Sequence, residues 1–127
     1  MLHHLSFAVL DLARSAAFYD VVLSALGLRS GVGRFNSGRL WAACGGDKFA
    51  IKLRPGNEAV PGDGFHVAFA APSRDAVVRF HAAAIRHGGR DNGVPELCRE
   101  YGPHYYAGFI IDPDGYRIEA VIAEPAS

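Results

Sequence analysis

The chain repeats itself. Setting His66 on His4, a shift of 66 − 4 = 62 positions, brings Phe69 onto Phe7, Ala70 onto Ala8, Phe80 onto Phe18 and Gly89 onto Gly27. Ile85 falls on Leu23 as a like-for-like aliphatic match, and no gap is needed. Identities at one fixed shift in a chain of 127 residues read as two copies of one supersecondary unit. Duplication restricts the fold sharply: each copy must bury its apolar face by the same geometry, and the two must then pack together. Both copies also open on a histidine in the same slot.

The local pattern gives each copy its elements. Residues 2–10 alternate, with Leu5, Phe7 and Val9 on one side and His4, Ser6 and Ala8 on the other. Period two means a strand with two unlike faces, and the lean face leaves room for something beside it. Asp11 can cap a helix over about 12–26, where Phe18, Val22 and Leu26 recur at helical spacing and Gly27 suits the left-handed end. Strands are predicted at Leu28–Val32, Leu40–Cys44 and Phe49–Leu53, separated by turns at Gly33–Gly38 and Gly45–Asp47. The stretch from Pro55 to Gly64, with two prolines and three glycines, has the composition of a linker. The second copy keeps the parity of the first: Phe65, Val67 and Phe69 are apolar, His66, Ala68 and Ala70 lean. Ser73 or Asp75 starts a helix to about His87, and strands follow at about 90–94, 105–111 and 116–122. Asp112-Pro113-Asp114-Gly115 joins the last two as a hairpin. The predicted fold is α+β: two β-α-β-β-β modules (about 1–55 and 65–124, linker 56–64) in one domain over 1–127. Their eight strands make a curved, cup-like mixed sheet with the helices outside.

Composition narrows the function. Thirteen basic residues balance thirteen acidic ones, so no bulk field holds nucleic acid or an anionic membrane, and neither is an expected partner. No stretch approaches the roughly 18 apolar residues of a membrane span, and no signal-peptide pattern is read at the N-terminus. Cys44 and Cys98 fit no metal or redox spacing and read as reduced thiols of a cytoplasmic protein.

The lean faces carry the chemistry. His4 and His66 project from equivalent strands into the expected cleft. In the last strand Ile118, Ala120 and Ile122 make the apolar side, so Arg117, Glu119 and Val121 face the cleft. Two histidines and one carboxylate form the donor set of a facial triad, which leaves coordination positions open. Near the cleft, Tyr101-Gly-Pro-His-Tyr-Tyr106 offers His104 or Tyr105 as proton donor or substrate contact, with Tyr106 beside them. Trp41 either stacks on a ligand or packs the core. His3 should face away from His4, Arg34 and Arg39 read as solvated, and His81 and His87 read as exposed helix residues.

The run His4-Leu-Ser-Phe-Ala-Val-Leu-Asp-Leu-Ala-Arg-Ser-Ala-Ala-Phe-Tyr19 resembles the opening of the vicinal oxygen chelate superfamily. That superfamily includes glyoxalase I, bleomycin-resistance proteins, fosfomycin-modifying enzymes and extradiol dioxygenases. Gly64-Phe-His-Val-Ala-Phe69 is similar to its central strand, and Gly108-Phe-Ile-Ile-Asp-Pro-Asp-Gly-Tyr-Arg-Ile-Glu-Ala-Val121 to its closing hairpin. The resemblance implies a glyoxalase-like fold, a homodimer, and a divalent metal ion (Fe, Mn, Zn or Ni) on His4, His66 and Glu119. Aligning Asp47-Lys-Phe-Ala-Ile-Lys52 with Asp114-Gly-Tyr-Arg-Ile-Glu119 puts Lys52 where glyoxalase I carries a fourth ligand. An ammonium is no ligand, which points away from a lactoylglutathione lyase and leaves Lys52 to an anionic substrate group or to solvent. Two function classes remain open. One is a small-molecule metalloenzyme of lyase, isomerase or dioxygenase type, with Glu119 also a candidate base. The other is a metal-free binding protein similar to the bleomycin-resistance members, with Lys52 and Trp41 against its ligand.

Overall fold

The computed structural model describes residues 2–35, 38–42, 48–56, 60–62 and 64–124, with the side chains of 31–35 outside that description. The turns expected at Gly33–Gly38 and Gly45–Asp47, the thiol of Cys44 and the Arg34 side chain therefore lie wholly or partly outside the described residues.

The element order is β1 (His4–Val9), α1 (Leu12–Ser24), β2 (Arg29–Phe35), β3 (Gly38–Ala42) and β4 (Lys48–Leu53) in the first module. The second has β5 (Val67–Ala70), α2 (Arg74–Arg86), β6 (Arg90–Leu97), a 3-10 turn (Arg99–Tyr101), β7 (Tyr106–Ile111) and β8 (Arg117–Ile122). The two helices lie 62 positions apart at both ends, as the repeat requires. Each starts on the cap its sequence offers: Asp11 Oδ1 accepts from the Arg14 N–H at 3.0 Å, and Ser73 Oγ from the Ala76 N–H at 3.0 Å. Such caps contribute about 1 kcal/mol each. The Gly27–Gly89 identity does not carry over to role. Gly27 and Gly88 hold the left-handed ends, at φ 89° and 99°. Gly89 is needed because a Cβ there would sit 2.9 Å from the Ala84 carbonyl oxygen.

The strands form two four-stranded mixed sheets of one topology, β1-β4-β3-β2 and β5-β8-β7-β6. In each, the first strand runs parallel to the last and the other pairs are antiparallel. The apolar faces meet the helices. Phe18, Val22, Val77 and Phe80 are fully buried there, each worth about 1.5–3 kcal/mol against exposure. The modules share one core: Phe7 stacks on Tyr116 with centroids 4.0 Å apart, and Phe49 meets Phe69 edge-on at 5.2 Å.

The Asp112–Gly115 turn joins the modules as well as two strands. Asp112 Oδ1 accepts three backbone N–H groups, from Asp114, Gly115 and Tyr116, at 2.9 Å each, while Oδ2 accepts the Tyr19 hydroxyl. Burial pushes the Asp112 carboxyl up although those donors pull it down, and burial beside Asp112 holds the Tyr19 hydroxyl well above its usual range. Asp114 accepts from Arg14 at 2.8 Å, from Ser15 Oγ at 2.9 Å and from the Leu10 N–H at 3.3 Å. Helix α1 is thus tied to the hairpin of the other module.

Strand pairing fixes which residues of the two modules correspond. Ser6 lies opposite Ala50, and Ala68, its repeat counterpart, lies opposite Glu119. Ala50, not Lys52, therefore holds the slot of Glu119, and Lys52 holds that of Val121. The burial runs along β4 and β8 agree residue for residue in this register. The sequence alignment through Asp47 and Asp114 is two residues out of this register, 119 − 52 = 67 against 119 − 50 = 69, because the two aspartates do not hold equivalent positions in hairpins that both close over six positions, Ala42 to Lys48 and Ile111 to Arg117. The arms before those hairpins differ in length. The first module returns from Arg29 to its partner Ala42 in 13 positions (42 − 29), the second from Arg90 to Ile111 in 21 (111 − 90).

Candidate functional site

The longer arm of the second module brings a tyrosine to a carboxylate. Glu119 is 1% exposed, on the face of β8 opposite the small Ala68. Its Oε2 accepts the Tyr105 hydroxyl at 2.7 Å, and its Oε1 lies 2.7 Å from His66 Nε2. A buried carboxylate without partners is costly; here both oxygens are engaged. The His66 ring is about half exposed, 51% for the side chain, and so leaves one side of the group open to solvent. Burial, reinforced by the Glu119 carboxylate, pushes the Tyr105 hydroxyl up from its ordinary value, so it remains a protonated donor at neutral pH. Tyr101 packs against Tyr105 at 5.2 Å between ring centroids.

His4 is not part of this group. Among the described residues no three His, Cys, Asp or Glu side chains gather as a metal site. His4 instead shares an Nδ1–Nδ1 hydrogen bond of 3.0 Å with His3, and both line an open cleft of about 230 Å³ with Ser6, Lys48, Ala50 and Lys52. His3, expected to face away, is thus on the same cleft. A second cleft of about 240 Å³ runs between the modules, lined by Lys48, Phe49, Val67 and Ala68 among others.

The remaining candidates divide by parity. Arg117 shares the face of Glu119, two residues along β8. Tyr106 is on the helix side, with the Arg74 guanidinium 5.1 Å from its ring, and so points away from Tyr105. Trp41 is 1% exposed in the core beneath α1, where its Nε1 donates to Asp20 at 3.0 Å; it does not line either cleft. Arg39 pairs with the same Asp20 at 3.0 Å rather than standing free in solvent. His104 is exposed on the arm. His87 is exposed too, but His81 is mostly covered, its side chain 12% exposed, and pairs with Asp91 at 2.9 Å. Sequence reasoning missed Ser6 and Lys48. Both lie at the period-two positions of His4 and Lys52, and that parity was the available signal.

The donors suit a first-row divalent ion, which imidazole nitrogen and carboxylate oxygen both bind. Cis donors at about 2.1 Å from an ion stand about 3.0 Å apart. The His66–Glu119 spacing of 2.7 Å is close to that. One chain brings these two donors together.

The family model of the Glyoxalase/Bleomycin resistance protein/Dioxygenase superfamily matches residues 1–120. Among solved structures, a glyoxalase/bleomycin resistance protein from Albidiferax ferrireducens T118 is 32% identical, with a TM-score of 0.80 over 94% of this chain and 96% of that one. A glyoxalase/bleomycin resistance protein/dioxygenase family enzyme from Burkholderia phytofirmans PsJN shares the fold at 18% identity, with a TM-score of 0.74 over 96% and 98%. A domain of that description from Frankia sp. EAN1pec does so at 20% identity, with a TM-score of 0.70 over 98% of each chain. A search of curated proteins returns no significant match.

Proposed function

Because the chain belongs to the Glyoxalase/Bleomycin resistance protein/Dioxygenase superfamily, we propose that it is a small-molecule enzyme with a divalent metal ion on His66, Glu119 and the His4 of a second copy. The observation that carries this reading is the buried Glu119 carboxylate, fixed between His66 and Tyr105 at 2.7 Å on each side. The reading requires a homodimer, since His4 sits on the other module, away from His66 and Glu119 in the same chain. A bound ion of this kind supplies Lewis acidity to a chelating pair of substrate oxygens, and Fe(II) adds oxygen activation.

The chain's own residues do the rest. Tyr105, held protonated, donates to Glu119 Oε2 and so fixes the carboxylate's orientation. Glu119 would double as a base for a substrate proton on leaving the ion. The reaction class is lyase, isomerase or dioxygenase, on a substrate with vicinal oxygens. A reducing cytoplasm suits the free, buried Cys98 thiol.

Metal analysis of the purified protein tests this. Near-stoichiometric metal that disappears in His66→Ala is expected, followed by turnover in a screen of α-hydroxycarbonyls, catechols and thiol conjugates. One observation favours a second reading, a metal-free binding protein: His66 and Tyr105 already satisfy both oxygens of Glu119 without an ion. Protein that is isolated without metal and takes up none on titration would select it.

A further inference from the structure

We propose that the first module carries an oxyanion subsite, built by Lys48, Lys52 and Ser6, which takes the carboxylate or phosphate of the substrate. The proposal rests on the cleft being the substrate site and names the class of substrate that enters it. Strand β4 puts Lys48, Ala50 and Lys52 on one face, and β1 sets Ser6 opposite Ala50 between the two lysines. The lysine Cα atoms are about 13 Å apart along the strand, so two flexible four-carbon stems can bring both ammonium groups over the middle. The floor between them is Ala50 on β4, flanked by Ser6 on β1 and Leu40 on β3.

Two independent observations point to an anion. The first is charge. At the matching slots of the second module stand Arg117, Glu119 and Val121, where a carboxylate accompanies the cation. The first module has two cations and an alanine, and among the described residues neither lysine has a carboxylate within 4.0 Å. The second is the hydroxyl. Ser6 Oγ is the buried side-chain polar atom without a hydrogen-bond partner among the described residues. It lines the same cleft as the two lysines, and an oxyanion is an acceptor for its proton. His3 and His4 line the same cleft, so a group held here is also close to the imidazole proposed to hold the ion.

The test is an NMR titration of full-length protein with inorganic phosphate and, separately, acetate. Saturable shifts are expected at the Ser6, Ala50 and Lys52 amides for at least one anion, and which one saturates distinguishes phosphate from carboxylate. Lys52→Met should weaken that binding at least tenfold, Ser6→Ala severalfold, and Lys52→Arg should preserve it. Shifts that never saturate for either anion, or binding unchanged in both Lys52→Met and Ser6→Ala, would overturn the subsite. Metal content measured on the same samples separates the two readings: His66→Ala should lose the ion and keep the anion, and Lys52→Met the reverse.

Discussion

The two modules have one backbone and two different concave faces. Helix length, caps, strand order and burial along the last strand repeat from the first module to the second. The chemistry does not. One slot holds histidine in both, as His4 and His66. The slot opposite Ser6 holds Ala50, and the slot opposite Ala68 holds Glu119. The arm that brings Tyr105 to Glu119 is longer by eight positions (21 − 13) than its counterpart. Duplication supplied the scaffold twice, and side chains at equivalent points then gave cations to one face and a fixed carboxylate to the other.

Substitutions can sharpen or break that contrast. The largest effect is expected at Glu119, whose counterpart Ala50 can offer no ligand. Glu119→Gln should cut metal affinity on the order of 100-fold or more, read by titration of metal-free protein. Metal uptake equal to the unmodified chain would remove Glu119 from the site.

Next comes the turn that holds the modules together. Asp114→Ala removes three hydrogen bonds to α1 and β1's exit, one of them from the half-exposed and therefore weakly contributing Arg14. The expected loss is about 2–3 kcal/mol of unfolding free energy, measured by urea denaturation. Destabilisation under about 0.5 kcal/mol would mean the modules do not depend on this clasp.

Tyr105→Phe should cost about 10-fold in metal affinity, as loss of a partner to a ligand does, with the fold intact by circular dichroism. The smallest effect concerns Asp112. Burial holds its carboxyl above its ordinary value of 3.8, so the folded chain keeps that proton more firmly than the unfolded chain. The associated stability is complete below the ordinary value and is lost as pH rises through the raised one. Asp112→Asn keeps an acceptor for the three backbone donors, and its stability relative to the unmodified chain should improve between pH 3 and pH 7. An unchanged difference across that range would contradict the raised value.

Much of the fold was legible because it rests on local patterns said twice. Alternation in residues 2–10 and 65–70, the helical spacing of Phe18 and Phe80, and the Asp112–Gly115 turn each need only neighbours in sequence. The group at Glu119 was legible in part: parity placed Glu119, His66 and Arg117 on one face, and Tyr105 stood among the candidates. Register between modules was not legible. The aspartates of the two turns, Asp47 and Asp114, offered an anchor, and only the strand pairing of Ser6 with Ala50 and of Ala68 with Glu119 moves the match of Glu119 by two residues, from Lys52 to Ala50. Trp41 and Tyr106 were equally out of reach, because an aromatic on a strand fits either face until a partner such as Asp20 or Arg74 fixes it.

Mixing His4→Ala chains with His66→Ala chains tests the central claim most directly. If each ion is held by His66 and Glu119 of one chain and His4 of the other, neither variant alone retains metal. A hybrid dimer then rebuilds one intact site from the unaltered histidines and regains it. Metal-free hybrids, or metal kept by either variant alone, would contradict a site shared between two copies.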